Sequence, residues 1–95
     1  MKAALLLKAA EIVKRRSDEI ADKLARETGS TLPFSQFQQG LVADTLQQAA
    51  GWVYLPKGEV LQSNVPGTHS VGVCRPLGVV VSFTPWNGAN IISWR

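Results

Sequence analysis

The chain has 95 residues and a net charge of +3, from 10 Lys or Arg against 7 Asp or Glu; that length supplies one small domain at most, burying only about 60–65% of its unfolded surface. With 45% hydrophobic and 18% charged residues it is globular rather than disordered, and it has no apolar run near the roughly 20 residues of a membrane-spanning helix. The basic residues Lys8, Lys14, Arg15, Arg16, Lys23 and Arg26 are interleaved with Glu11, Asp18, Glu19, Asp22 and Glu27, so they read as a solvated helix face and not as a phosphate-binding stripe.

From Lys2 to Glu27, Leu6, Ala10, Val13, Ile20 and Leu24 recur in steps of three, four or seven, which predicts amphipathic helix. Three opposite-charge i,i+4 pairs support its outer face: Glu11 with Arg15, Glu19 with Lys23, and Asp22 with Arg26. Ser17, followed by Asp18 and Glu19, suits an N-cap, so the region divides into two helices near Arg16 and ends at Gly29 in a left-handed conformation. The charged residues that follow the short apolar cluster after Lys2 stand where a signal peptide would place its small-residue cleavage site. Cytoplasm is therefore the expected location.

Pro33 permits a new helical start. Phe34, Phe37, Leu41, Thr45, Gln48 and Trp52 then form one stripe, which Val42, Leu46, Ala49 and Val53 widen, and Trp52 and Tyr54 are assigned to packing. Pro56 and Gly58 close the helical part, residues 1–54. Residues 58–76 turn to β texture: Glu59–Ser63 and His69–Val73 predict two half-buried strands around a turn at Pro66 and Gly67, with their pairing left open. His69 has no partner at ligand spacing, so no metal site is expected.

Val79, Val80 and Val81 run without polar interruption between Gly78 and Pro85, the pattern of a strand buried on both faces. The turn Pro85-Trp86-Asn87-Gly88 follows, then Asn90 as an N-cap, and Ile91, Ile92 and Trp94 open another helix. In open α/β sheets the loop after such a strand is where ligands bind. A buried parallel strand also requires neighbours that these residues do not supply. Residues 78–95 are therefore expected to leave Val79 to Val81, Ile91, Ile92 and Trp94 without their covering partners.

The run Cys74-Arg75-Pro76-Leu77-Gly78-Val79-Val80-Val81-Ser82-Phe83-Thr84-Pro85-Trp86-Asn87 resembles the aldehyde dehydrogenase segment in which an Arg-x-Pro-x-Gly-Val-Val strand enters a Pro-Trp-Asn turn. Leu6–Arg16, Arg26-Glu27-Thr28-Gly29 and Gly58-Glu59-Val60 are similar to the same family in the same order. Glu27–Pro33 and Trp86-Asn87-Gly88-Ala89 look closest to the branch acting on aromatic aldehydes such as vanillin, benzaldehyde or salicylaldehyde.

The resemblance implies an α/β fragment of that fold: N-terminal helices, strands directed toward an oligomerisation arm, and the first strand of a Rossmann-like cofactor sheet. Residues 1–95 would be part of one aldehyde dehydrogenase domain, truncated at both ends, whose full-length relatives are homo-oligomers using NAD or NADP. In that family a cysteine thiolate attacks the aldehyde, a hydride passes to the nicotinamide, and a glutamate-activated water releases the acid. By carry-over, the Asn87 amide serves the oxyanion hole, and Phe83, Thr84, Pro85 and Trp86 line the cofactor site. Cys74 precedes the turn and matches no catalytic motif, so it is expected as a small buried strand residue. Many relatives have Phe-Pro where Gly88 and Ala89 stand here, which bears on the shape of the substrate funnel.

The glycines form neither a Gly-x-Gly-x-x-Gly run nor a Walker-type loop, so the cofactor rests on the resemblance alone. The expected partner is a small-molecule aldehyde, with no nucleic acid and no membrane. A non-catalytic scaffold of the same fold is the alternative, and the Pro-Trp-Asn turn weighs against it.

Overall fold

The computed structural model describes residues 1–94. Three helices come first: α1 (Lys2–Arg15), α2 (Ser17–Thr28) and α3 (Leu32–Trp52). The division near Arg16 is present. The Arg16 N–H closes α1 on the Ile12 carbonyl at 2.9 Å, and its own carbonyl receives Ile20 N–H at 3.0 Å. Ser17, expected as an N-cap, is instead the first residue of α2 and makes no capping bond. In its place the Arg16 guanidinium forks onto Glu19, with Nε at 2.8 Å and Nη2 at 2.5 Å. Hydrogen bonding to Arg16 holds the Glu19 carboxyl below its ordinary range and raises Arg16 in turn.

Gly29 ends α2 at φ 73°, left-handed as expected, and donates to the Ala25 carbonyl at 2.9 Å. Of the three expected i,i+4 pairs, Asp22–Arg26 forms at 2.9 Å. The others re-pair: Glu11 with Lys8 at 3.1 Å, Glu19 with Arg16, and Lys23 with Glu27 at 4.0 Å. On an exposed helix face the i,i+3 and i,i+4 spacings are both within reach, so neighbouring partners compete on nearly equal terms.

The helix α3 is the centre of the fold, with α1 and α2 packed along it. Ala10, Val42 and Leu46 form the buried apolar cluster, and Leu6, Ala9, Val13 and Ile91 close over it. The stripe expected on α1 thus does face the core. On α3 the expectation holds for Val42 and Leu46, which are buried, and fails for the aromatic stripe: the buried residues are Ser35, Gln38, Gln39, Val42, Ala43, Leu46 and Ala50. Phe34, Phe37 and Trp52 are exposed, and Tyr54 is 81% exposed, so neither Trp52 nor Tyr54 is a packing residue here. Small side chains let neighbouring helices approach closely, whereas the bulky aromatic residues are left largely exposed among the described residues. Phe34 and Phe37 stack on each other instead, with centroids 6.2 Å apart.

Two short strands, β1 (Gly58–Leu61) and β2 (Ser70–Val73), pair antiparallel with Val60 opposite Val71. Cys74 N–H extends the ladder onto the Lys57 carbonyl at 2.8 Å. The intervening turn uses Gly67 at φ 77°, a left-handed value that a side chain would strain. The strands were expected to be half-buried, yet β1 is exposed throughout, and Val71 and Val73 of β2 point to solvent. A two-stranded ribbon standing clear of the helices has no face to bury.

Residues 78–84 carry no strand assignment, and Val79, Val80 and Val81 are 97%, 70% and 73% exposed. The buried strand expected from the valine run is therefore not formed among the described residues. A strand exists only through a partner's hydrogen bonds, and no partner lies beside this one. After a 3₁₀ turn at Trp86–Gly88, α4 (Ala89–Ser93) docks back on α3. The radius of gyration is 18.4 Å, well above the about 12 Å of a compact chain this long, and the longest extent is 61 Å. No helix among the described residues is long and apolar enough to cross a membrane.

Two outcomes follow. Leu46, 2% exposed at the junction of α1, α3 and α4, anchors the cluster. Leu46→Ala should cost about 2–5 kcal/mol in urea unfolding, enough to unfold much of a chain with so small a core. The uncovered valines should make the 95-residue chain associate with itself. Size-exclusion chromatography should give a mass that rises with concentration, and a monomer that binds no hydrophobic dye would contradict this.

Candidate active site

The turn from Phe83 to Asn90 is built from its own hydrogen bonds. Pro85, at φ −68° and ψ 151°, leads the chain into the 3₁₀ turn, and its carbonyl accepts the Gly88 N–H at 3.3 Å. The hydroxyls of Thr84 and Ser93 both donate to the Ala89 carbonyl, at 3.1 and 2.7 Å. This clasp joins the start of the turn to the end of α4.

Within that frame, Phe83 is 95% and Trp86 74% exposed, Pro85 and Asn87 are exposed, and Thr84 is half-buried. No side-chain hydrogen bond ties down Asn87 among the described residues, so its amide N–H groups are free to donate outward. Thr84 differs, because its hydroxyl is committed to Ala89 and only its main chain is open. Gly88 is the buried point of the turn: a Cβ added there would lie 2.8 Å from Ile92 Cδ1. Its φ of −145° demands no glycine, so it is the Ile92 side chain that leaves little room at this position.

One side-chain hydrogen bond joins the turn and α4 to the helices among the described residues. Asn90 Nδ2 donates to Gln39 Oε1 at 2.6 Å across 51 positions of sequence. Asn90, expected as the N-cap of the last helix, is its second residue, with Gly88 in the cap position. Its side chain therefore reaches sideways to α3 instead of capping its own helix. Gln39 is the residue that sequence reasoning missed. A glutamine between Gln38 and Gly40 has no pattern to distinguish it, and only the packing of α4 reveals it.

Two concavities border α4. One, of about 230 Å³, is lined by Ile20, Lys23, Leu24, Glu27, Ala89 and Asn90. The other, of about 440 Å³, is lined by Leu41, Thr45, Gln48, Trp52 and Ile91. Asn87 lines neither. Cys74, expected to be buried, is exposed, because the ribbon that carries it stands in solvent. It opens beside Lys2, Lys57, Arg75 and Pro76, apart from the residues of the turn. His69 is exposed, and no group of three or more metal-ligating side chains occurs among the described residues.

Phe83 and Trp86 present exposed aromatic faces, a kind of surface against which a flat ring can stack. The described residues hold no glycine-rich loop for the phosphates of a dinucleotide.

The sequence model of the aldehyde dehydrogenase family matches residues 1–95. The chain belongs to that family. It is 40% identical over 94 residues to the NAD(+) benzaldehyde dehydrogenase of Pseudomonas putida, covering 99% of this chain and 19% of that protein. It is 39% identical over 90 residues to the vanillin dehydrogenase of Pseudomonas fluorescens, covering 95% of this chain and 18% of the relative. A betaine aldehyde dehydrogenase of Bacillus subtilis is 34% identical over 83 residues, covering 87% of this chain and 17% of that protein. The chain thus spans less than one-fifth of the length of these curated relatives. No solved structure gives a significant match.

Proposed function

We propose that this chain is a segment of an enzyme that oxidises an aldehyde, of the aromatic class, to its carboxylic acid with NAD or NADP, and that Asn87 is its catalytic contribution. The carrying observation is the exposed Asn87 amide, held in a self-braced turn with no side-chain hydrogen bond among the described residues. When a nucleophile adds to the aldehyde carbon, the carbonyl oxygen gains negative charge, and a fixed neutral donor aimed at that oxygen lowers the barrier. An amide suits the task because its protonation does not change with pH.

Phe83, Thr84, Pro85 and Trp86 form the adjoining wall of the cofactor site, Thr84 through its main chain. These residues would hold the nicotinamide, whose chemistry there would be to take up the hydride from the former aldehyde carbon. Water supplies the second oxygen of the acid, and a proton is released. The aromatic class is supported by the names of the benzaldehyde and vanillin relatives. The full-length enzyme is proposed to be a homo-oligomer in the cytoplasm. The reading as a non-catalytic scaffold is less favoured, because it gives an outward-facing, unpaired asparagine nothing to do.

Two experiments test the reading. In the full-length enzyme, Asn87→Ala should cost about 2.7–4 kcal/mol of transition-state stabilisation, falling on kcat. Unchanged turnover in a folded variant removes the assignment. The purified 95-residue chain should show no turnover of benzaldehyde or vanillin with NAD or NADP. Its single cysteine, Cys74, lies apart from the turn, and an oxyanion donor acts only on an intermediate that some nucleophile has formed. Protein-dependent nicotinamide absorbance that Asn87→Ala abolishes would overturn this.

A further inference from the structure

We infer that Gln39 is a positioning residue, which sets the Asn87 amide in place through Asn90; the inference rests on the oxyanion reading of Asn87. The Gln39 side chain is 1% exposed, and its two ends do different work. Nε2 donates to the Ser35 carbonyl at 3.1 Å, one turn back along α3. A carbonyl can only accept, so this contact fixes which end of the amide is nitrogen and leaves Oε1 as the acceptor facing α4. Asn90 Nδ2 meets it at 2.6 Å.

The remaining side-chain hydrogen bonds around the turn are internal to it. Thr84 and Ser93 meet at the Ala89 carbonyl, which gives residues 84–93 a shape of their own without placing that shape on the protein. Among the described residues, one core contact and one side-chain hydrogen bond place it. Ile91 packs on the Ala10, Val42 and Leu46 cluster, and Asn90 bonds Gln39. Apolar contact is non-directional and tolerates sliding, whereas a buried amide bond fixes distance and angle. Asn87 stands three residues before Asn90, in the 3₁₀ turn that leads directly into α4. A rotation of α4 about Ile91 therefore carries the Asn87 amide with it. A donor that must meet a developing oxyanion within a few tenths of an ångström loses most of its effect when displaced by about 1 Å.

The test is a mutant cycle in the full-length enzyme. Gln39→Met keeps the length of the side chain and removes both hydrogen bonds. Asn90→Ala breaks the link from the half-buried end without opening α3, and it serves should Gln39→Met prove unstable. Each should lower kcat about 10- to 100-fold with the KM for the nicotinamide cofactor little changed, and the double variant should be no worse than the poorer single one. In an Asn87→Ala background, either change should have almost no further effect on kcat. Hydrogen exchange read by mass spectrometry should show faster exchange at residues 86–90 and unchanged exchange in α1 and α2. If Asn87→Ala lowers kcat but Asn90→Ala lowers it by the same factor with or without Asn87, or not at all, Gln39 does not act through Asn87 and the oxyanion reading survives. If Asn87→Ala leaves kcat unchanged, the oxyanion reading fails first and this inference falls with it.

Discussion

The fold depends on the close approach of α1, α2 and α4 to one narrow face of α3. That face changes character along its length. Its second half presents Val42, Ala43, Leu46 and Ala50, and Ala10 of α1 meets Val42 and Leu46 there in ordinary apolar packing. Its first half presents Ser35, Gln38 and Gln39, whose polar atoms are costly to bury without partners. Ser35 Oγ finds Ser30 Oγ, and Gln39 finds the Ser35 carbonyl and Asn90. Gln38 Oε1 finds none among the described residues. The apolar half supplies association without strong orientation, and the polar half supplies orientation.

This division explains what was legible in the sequence. Helix limits follow from local chemistry, so Arg16, Gly29 and Pro33 mark them correctly, and the 3.6-residue period picks out Leu6, Ala10 and Val13. The core face of α3 follows from local chemistry only at Val42 and Leu46. Phe34, Phe37 and Trp52 are the more hydrophobic stripe, yet depth is decided by which residues let a neighbouring backbone come close, and serine and alanine do that better than aromatic rings. The identity of strands is legible in Val60, Val71 and Val73, but their burial is a property of what packs on them. The valines at 79, 80 and 81 are the extreme case, carrying a strand's composition with no adjacent chain to complete its hydrogen bonds.

At the candidate site the same contrast separates identity from placement. The Pro85-Trp86-Asn87 run is recognisable as a sequence motif, and the family match over residues 1–95 includes it. The bracing is not recognisable. Thr84, Ser93, Asn90 and Gln39 are common polar residues whose roles exist only once α4 lies against α3. Gly88 belongs to the same class, since what limits a side chain there is Ile92 one turn later.

That the turn holds its form while residues 78–84 remain unpaired has a structural consequence. In an α/β sheet the loop after a strand is normally positioned from both sides, by the strand that enters it and the helix that leaves it. Here the entering segment is exposed, and the exit helix is docked through Ile91 and Asn90. The placement of the turn is therefore determined from the helical side, its shape comes from its own hydrogen bonds, and pairing of residues 78–84 is needed for neither. Such pairing would add a second fixed point at Phe83 and Thr84, and with both ends held the Asn87 amide would lose the rotation that a single docking helix still permits.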